Sequence, residues 1–530
     1  MLSSMNRRAF LQVSAAFSMS AWADGARPTA IVKTTNGPVR GLSQAGVETF
    51  LGLRYAQPPL GQLRFRPPQK LKPWTEVVEA TRLGAASMQL RSGGSAVTYP
   101  GNVGKALGEV FTSADDIAKQ NEDCLFLNVW TPQLGASRKR PVMVWLHGGG
   151  FNYGSGSWPA YDGHNLSSRH DVVVVTVNHR LNAFGYLHLG ELLGEEYATS
   201  GNAGQQDLVT VLEWVRDNVA AFSGDPQNVT IFGQSGGGAK VSTLMAMPAA
   251  KGLFHRAIVE SGPGLRGTPK EAATETAKAI LKALKVQPAD LKTVPAEDLA
   301  KAIASTPGIR FGPVVDGLAL PAHPFDPVAP QQTANVPVMV GCTSDEQTLY
   351  QVGQPWWGKL TEAELAEKAK AAAGDKAPAL IDAFKKLRPG DSPSYLFTDI
   401  GSATFAFLGS IRLAERKAAL KAAPAYFYVF KWRSPVDEGI LRAPHTMEIP
   451  FAFDNIAKGP MFLGSAPSTQ KLADLVSKTW VAFARTGNPN HKGLPFWPAY
   501  EESRRATMVF DVDSKVIDDY EGDVRKILEA

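Results

Sequence analysis

The feature that most constrains the fold is a set of short, almost continuously apolar runs that alternate with longer helical patterns. The runs are rich in β-branched residues and span residues 141–146, 172–177, 229–232, 336–341 and 425–431. Continuous hydrophobicity is typical of strands that are buried on both faces of a parallel sheet. Apolar residues recur with helical spacing at 205–221, 270–284, 361–373 and 468–485. This alternation of strands and helices predicts a doubly wound α/β fold.

Length and composition predict how this fold is organised. The chain has 530 residues, of which 44% are hydrophobic and 20% are charged, as in ordinary globular proteins. These values exclude a coiled coil, a fibre and a disordered scaffold. No internal repeat or clear linker divides the chain, so we predict one large domain over residues 24–530. Residues 90–108 are rich in glycine and serine, and we predict a surface loop or insertion there.

Charge and cysteine content narrow the class of function. The net charge of +5 comes from basic residues that are spread along the chain, which disfavours nucleic-acid binding. The only cysteines are Cys124 and Cys342, so a disulfide framework is excluded and one bridge at most is left. The absence of a Cys-x-x-Cys pair disfavours structural zinc and thioredoxin-like chemistry.

The first residues have the pattern of a targeting segment. Arg7 and Arg8 precede an uncharged stretch at 11–23, which ends in Ala-Trp-Ala. This order predicts a signal peptide over residues 1–23, and the paired arginines resemble the twin-arginine type, with an ordinary Sec signal as the alternative. No later stretch reaches about 18 continuous apolar residues. We therefore expect an exported protein, periplasmic or secreted, with no stable membrane insertion after removal of the signal.

The strongest candidate for a catalytic group is Ser235. It lies in Gly-Gln-Ser-Gly-Gly at residues 233–237, after a β-rich run and before a helical pattern. In a Gly-x-Ser-x-Gly motif the serine occupies a sharp strand-to-helix turn, and small residues on both sides avoid clashes in that turn. The helix that begins there directs backbone N–H groups and its positive dipole toward developing negative charge. This context predicts a nucleophile rather than a chance glycine-rich turn.

A second motif predicts the groups that stabilise an oxyanion. The run His-Gly-Gly-Gly-Phe at residues 147–151 follows a predicted strand and resembles the loops that donate backbone N–H groups to an oxyanion. The expected donors are the N–H groups of Gly149, Gly150 and Gly236. A phosphate-binding loop is the alternative, but the chain lacks the Gly-x-x-x-x-Gly-Lys-Ser/Thr pattern.

A serine nucleophile needs a histidine base and a carboxylate to orient it. In this arrangement the chain order is serine, acid, histidine. His445 follows the predicted strand at 425–431 and is the best candidate, whereas position in the chain disfavours His255, His323 and His491. The acid should follow the strand at 336–341, where Asp345 and Glu346 are adjacent. Elimination alone leaves both acids open.

Further motifs resemble the type-B carboxylesterase family over about residues 30–500. They lie in order at residues 121–132, 177–187, 201–204, 222–229 and 312–317. The resemblance implies the α/β-hydrolase fold, with a large, mostly parallel central sheet flanked by helices and long insertions that form a gorge. It also implies a triad of Ser235, Glu346 and His445, because the family acid is the glutamate of an Asp-Glu pair.

The chain departs from the family pattern at several positions. The family often has Glu before and Ala after the nucleophile, where this chain has Gln234 and Gly236. Ser87 stands where many relatives have the disulfide partner of Cys124, so we expect Cys124 to be unpaired and Cys342 to be a buried thiol. No tryptophan lies between residues 75 and 129, which disfavours a cholinesterase.

The resemblance implies hydrolysis of small-molecule carboxylic esters through an acyl-serine intermediate. No metal or organic cofactor is implied, because His-Glu-x-x-His and a dinucleotide fingerprint are both absent. An amidase or carbamate hydrolase with the same triad is one alternative, and a non-catalytic binding protein is another. A third is a binding module for aromatic or lipid ligands built on Trp356 and Trp357, although we expect these residues to pack at the gorge rim or in the core.

Overall fold

The computed structural model describes residues 25–89, 98–112 and 119–530. The predicted signal peptide at 1–23 lies outside the described residues. The strands are β1 Arg27–Pro28, β2 Val32–Lys33, β3 Pro38–Arg40, β4 Leu42–Gln44, β5 Val47–Arg54, β6 Val78–Glu79, β7 Ala86–Ser87, β8 Gln120–Asn121, β9 Phe126–Thr131, β10 Arg140–Leu146, β11 Val173–Val177, β12 Gly224–Gln234, β13 Arg256–Glu260, β14 Thr268–Pro269, β15 Val314–Val315, β16 Val338–Thr343, β17 Ala425–Phe430, β18 Ala506–Phe510 and β19 Lys515–Asp518.

A single 12-stranded sheet organises the molecule, in the order β1-β4-β5-β9-β11-β10-β12-β13-β16-β17-β18-β19. The strands from β11 to β18 in this order run parallel, whereas the strands at both edges pair antiparallel. The predicted α/β-hydrolase fold with a large, mostly parallel sheet is confirmed. The carboxyl ends of β10, β12, β16 and β17 meet at one edge of the sheet, which is where open α/β sheets bind ligands.

Helices connect and cover these strands. They are α1 Val103–Phe111, α2 His164–His170, α3 Asn182–Tyr186, α4 Gly190–Leu193, α5 Ala203–Asn218, α6 Gly236–Ala246, α7 Lys270–Leu284, α8 Ala296–Ser305, α9 Thr348–Gln351, α10 Glu362–Ala373, α11 Ala377–Leu387, α12 Pro393–Ser402, α13 Leu408–Ala418, α14 Ile449–Ala452, α15 Pro460–Leu463, α16 Pro467–Thr486 and α17 Gly522–Glu529. A π-helical segment, Ala403–Phe407, joins α12 to α13. Among the described residues, no helix combines the length and the apolarity that crossing a membrane requires.

The central strands are buried on both faces, which explains their continuous hydrophobicity. In β10 every residue is buried. Because side chains alternate across a strand, Val142 and Val144 enter one core cluster, whereas Met143 and Trp145 enter the cluster on the opposite face. Helices pack on both faces of the sheet and leave the loops at the carboxyl edge to form the site.

One local prediction is wrong. The sequence predicts a surface loop or insertion at 90–108, but in the described part of that segment Val103–Phe111 forms helix α1 rather than a loop. The helix buries Val103, Ala106 and Val110 against the core, and these residues have the spacing of one helical face. The glycines and serines of the segment obscured that short pattern. Residues 90–97 lie outside the described residues.

Candidate active site

The serine turn joins the end of β12 to the start of α6. Ser235 has φ 59° and ψ −125°, a backbone conformation that costs energy for any residue other than glycine. Its N–H donates to the carbonyl of Glu260 at 2.8 Å, which fixes the turn against β13. A Cβ atom at Gly233 or Gly237 would lie 2.5 or 2.0 Å from the carbonyl oxygen of Leu146. The turn therefore requires glycine on both sides of the serine.

The glycine-rich loop at 147–150 follows β10 and contacts the serine turn through backbone atoms. Gly149 and Gly150 have φ values of +85° and +62°, which favour glycine. A Cβ atom at Gly236 would lie 2.1 Å from the carbonyl oxygen of Gly150. Within the described parts of the chain, the N–H groups of Gly149, Gly150 and Gly236 donate to no protein acceptor. These donors are free to bind a ligand oxygen.

His445 and Glu346 are in direct contact with each other, and Gln234 of the serine turn lies beside the imidazole. Nδ1 of His445 forms a short hydrogen bond with Oε2 of Glu346, and the backbone N–H of His445 donates to the carbonyl of Glu346 at 3.3 Å. The other carboxylate oxygen accepts from the N–H of Thr343 at 2.8 Å. Both side chains are buried. The pair is therefore rigid and shielded from water.

The structure separates the two candidate acids. Asp345 is also buried, but it bonds to the hydroxyl of Ser344 and lies 3.7 Å from Nη1 of Arg442. Arg442 in turn forms two hydrogen bonds of 2.7 Å with Asp391. Of the adjacent pair, only Glu346 contacts His445.

No hydrogen bond joins Ser235 to His445 within the described residues. The Ser235 side chain is partly exposed and forms no hydrogen bond within the described residues. Nε2 of Gln234 lies 3.2 Å from each ring nitrogen of His445. Hydrogen bonds between catalytic groups are often long or absent in unliganded enzymes and tighten when substrate binds.

Aromatic side chains lie on the open side of His445. The rings of Tyr350 and Phe405 are each centred 5.6 Å from the imidazole. Phe405 belongs to the π-helical segment and is 47% exposed. π-Helical bulges occur often at functional sites, where they redirect a side chain. An apolar group bound beside His445 would contact these rings.

Two more buried acids lie behind the triad candidates, and sequence reasoning gave them no role. Oε1 of Glu260 accepts from Nε1 of Trp480 at 2.9 Å, and Oε1 of Glu448 accepts from the Ser261 hydroxyl at 3.0 Å. In the part of the chain that the structure describes, the Oε2 atom of each acid has no hydrogen-bond partner. Burial raises the pKa of Glu260 to about 8 and raises the pKa of Glu448 well above its usual range. Burial therefore favours the protonated form of both groups.

Buried polar contacts anchor three of the family-like motifs, and two of these motifs contact each other. Arg180 of the motif at 177–187 forms a fully buried ion pair with Asp207, with hydrogen bonds of 2.6 and 2.9 Å. Asn202 of the motif at 201–204 bonds to the backbone of Val314 and to Asp316 in the motif at 312–317. These side chains connect loops at the carboxyl edge of the sheet.

Both cysteines are buried and unpaired, as expected. Trp356 and Trp357 are partly buried and pack edge-on against Phe397 and Tyr395 of α12, at centroid distances of 5.6 and 5.0 Å. Trp357 also contacts a core cluster. These contacts agree with the packing interpretation of the tryptophan pair.

A serine on a strand-to-helix turn, at the carboxyl edge of a mostly parallel sheet, defines an α/β-hydrolase. Comparison with known proteins gives the family. A sequence model described as "Carboxylesterase family" matches residues 28–525. The chain belongs to the carboxylesterase family, and its relatives include proteins named as esterases and carboxylesterases. The resemblance to type-B carboxylesterases is confirmed.

Individual relatives match along nearly the whole chain. The para-nitrobenzyl esterase of Bacillus subtilis is 35% identical over 518 residues, which cover 94% of this chain and 98% of that protein. The phenmedipham hydrolase of Pseudarthrobacter oxydans is 32% identical, with 90% and 94% covered. The crystal structure of the Geobacillus stearothermophilus carboxylesterase EST55 at pH 6.2 has a TM-score of 0.82 and 37% identity, and the match covers 94% of this chain and 100% of that one.

Proposed function

We propose that this member of the carboxylesterase family hydrolyses small-molecule carboxylic esters with a Ser235–His445–Glu346 triad. The observation that carries the proposal is the buried contact between His445 and Glu346 beside a strained serine turn. His445 takes the proton of Ser235 as its hydroxyl attacks the ester carbonyl. It then protonates the leaving alcohol, and later activates the water that releases the acid from the acyl-serine.

Glu346 orients the imidazole and stabilises its charged form without accepting the proton. An ionised carboxylate only accepts hydrogen bonds, so the proton of the neutral ring is held on Nδ1 and Nε2 is left as the base. The free N–H groups of Gly149, Gly150 and Gly236 would hold the oxyanion. Such donors act most strongly in a site with little water, and the loss of one typically costs about 10²–10³ in kcat.

Tyr350 and Phe405 are proposed to contact the substrate. Their rings flank His445, and the exposure of Phe405 leaves an apolar surface at the mouth of the site. This surface is consistent with the predicted gorge. It favours esters that carry an apolar or aromatic group.

The test is hydrolysis of p-nitrophenyl esters from acetate to decanoate by the wild type and by Ser235→Ala. Ser168→Ala, at an exposed serine of α2, is the matched control. We expect turnover by the wild type and the control, and its loss in Ser235→Ala. An organophosphate should add one phosphoryl group to the wild type, measured by intact mass, and none to Ser235→Ala. Folded wild type with neither turnover nor adduct would contradict the triad and favour a binding protein.

We also propose that residues 1–23 direct export, after which residues 24–530 act as a single domain in the periplasm or outside the cell. The paired arginines Arg7 and Arg8, followed by an uncharged stretch, support this proposal. Replacing both arginines with lysine should retain the precursor in the cytoplasm if the route is twin-arginine. Processing that is unchanged in this variant would indicate the Sec route, and an uncleaved cytoplasmic wild type would contradict export.

A further inference from the structure

Helix α6 carries a buried lysine that the proposed mechanism does not use. Lys240 lies five residues after Ser235 and is fully buried. Within the described residues it has no carboxylate partner, so its burial is not explained by an ion pair. Buried lysines without an acid are rare, because desolvation of the ammonium is costly. A specific set of hydrogen bonds must compensate for that cost.

These hydrogen bonds go to the glycine-rich loop. Nζ of Lys240 donates to the carbonyl oxygens of His147 and Gly150, both at 2.9 Å. The first carbonyl belongs to the peptide group before Gly148 and the second to the peptide group after Gly150. The two peptide groups between them carry the N–H groups of Gly149 and Gly150. Lys240 therefore holds both ends of the segment that contains two of the proposed oxyanion donors.

The loop restricts itself only through its backbone carbonyls: that of Gly149 accepts from the N–H groups of Asn152 and Tyr153, both at 3.3 Å, and that of Gly148 lies 2.9 Å from Nδ1 of His147. Glycine has no side chain to pack, and it loses more conformational freedom on ordering than other residues. Helix α6 begins at Gly236, whose backbone lies against the carbonyl of Gly150. Helix α6 thus contacts the loop at two places. The first residue of the helix, Gly236, contacts it through the backbone, and Lys240 contacts it one turn later through its side chain.

We propose that Lys240 is a positioning residue that aligns the oxyanion-binding N–H groups of the glycine-rich loop for catalysis. This inference rests on the proposed function, and it adds a residue that neither the triad nor the donor set includes. Lys240 acts through the loop and does not itself contact the substrate.

The surroundings of Lys240 weaken its positive charge, so the strength of its hydrogen bonds to the loop depends on pH. Its ammonium lies 5.4 Å from the ring centre of Phe151. Burial lowers the pKa of Lys240 to about 7. The titratable groups that face it are His147 and His179, which stack on each other. Burial, and then the charge of Lys240, lower the pKa of both histidines well below the usual range, so they are neutral. Hydrogen bonds from an ammonium are stronger than those from a neutral amine.

The test variant is Lys240→Met, which keeps most of the apolar stem and removes the donors. The chain offers a matched control in Lys417 of α13. It is also fully buried and donates to one loop carbonyl, that of Ala334 at 2.7 Å, and it makes no contact with the proposed active site. Active sites are first counted by organophosphate labelling, so that kcat refers to folded, reactive enzyme. Wild type that does not label would contradict the proposed function and not this inference.

We expect Lys240→Met to lose about 10- to 100-fold in kcat for p-nitrophenyl butyrate, with KM little changed, because the oxyanion contacts form in the transition state. Binding of a trifluoromethyl ketone, which forms a tetrahedral adduct with the serine, should weaken in proportion. Lys417→Met should lower the melting temperature and leave kcat unchanged. If Lys240→Met does not fold, Lys240→Gln, which keeps a shorter donor, should show a smaller loss of the same kind. Wild-type kcat and ketone affinity in either variant, or an equal loss in Lys417→Met, would overturn the inference.

Discussion

Glu346 connects His445 to the end of a core strand. One of its carboxylate oxygens contacts Nδ1 of the imidazole, and the other accepts the N–H of Thr343, the last residue of β16. The imidazole is thereby oriented by the central sheet rather than by its own loop. Because both side chains are buried, the contact is not weakened by water or salt.

Glu346→Gln should remove catalysis while it preserves the fold. An amide places an N–H donor where the carboxylate accepted, so the imidazole must adopt the wrong tautomer or lose the bond. We expect kcat to fall by about 10²–10⁴. Asp345→Asn is the matched control, since Asp345 contacts Ser344 and Arg442 and not His445. Steady-state kinetics of both variants would check this. A larger loss of kcat in Asp345→Asn than in Glu346→Gln would show that Asp345, and not Glu346, is the triad acid.

Gly236→Ala should displace the glycine-rich loop. The new methyl group would lie 2.1 Å from the carbonyl oxygen of Gly150, so loop or turn must move and at least one oxyanion donor is misplaced. Although the family often has alanine here, the loop of this chain lies too close to the turn for a methyl group, so we expect a loss of about 10²–10³ in kcat. Gly108→Ala in α1 is the control, because no atom lies within 4 Å of its added Cβ, and it should raise stability by about 0.5–1 kcal/mol. Unchanged kcat in Gly236→Ala would mean that the loop adapts without cost.

The fold could be predicted because the apolar runs in the sequence coincide with the strands that are buried in the central sheet. The strands β10, β11, β16 and β17 lie within two residues of the predicted runs, since each is buried on both faces. β12 begins at Gly224, five residues before its predicted start. Gly224 pairs with Arg140 and regular pairing resumes at Val229, so residues 225–228 form a bulge that contains polar residues and that no side-chain pattern reveals.

The site residues could be predicted where a sequence motif requires a particular backbone geometry, as at Ser235. They could not be predicted where tertiary packing determines which side chains meet. Asp345 and Glu346 are adjacent and buried in the turn after β16, so position alone could not choose between them. Lys240 could have been noticed as a lone charge in an otherwise small and apolar helix, although its partners are almost a hundred residues away. The burial of Glu260 and Glu448 depends on β13 meeting the loop after β17, which is a tertiary property.

The thiols of Cys124 and Cys342 should be unreactive in the native enzyme. Both are buried, and burial raises the pKa of each thiol above its usual range, so neither forms the reactive thiolate. We expect a chromogenic disulfide reagent to label no thiol in buffer and both in denaturant. Dithiothreitol should leave the melting temperature and activity unchanged. Rapid labelling of the native protein, or destabilisation by reductant, would contradict this arrangement.

Glu260 should make the enzyme less stable as pH rises from about 4.3 to about 8. Its usual pKa is about 4.3, whereas burial raises the folded-state pKa to about 8. Between these pH values the Glu260 carboxyl holds a proton in the folded state but not in the unfolded state. The contribution of this proton to the free energy of unfolding is therefore fully present below pH 4.3 and is lost as pH rises through 8. The contribution is at most about 1.4 kcal/mol per pH unit. Glu260→Gln, which is neutral and can still accept from Trp480, should flatten the slope in urea unfolding between pH 5 and 8.5. The control Glu367→Gln, at an exposed glutamate, should leave the slope unchanged. If Glu260→Gln has the same slope as the wild type, Glu260 is ionised in the folded protein.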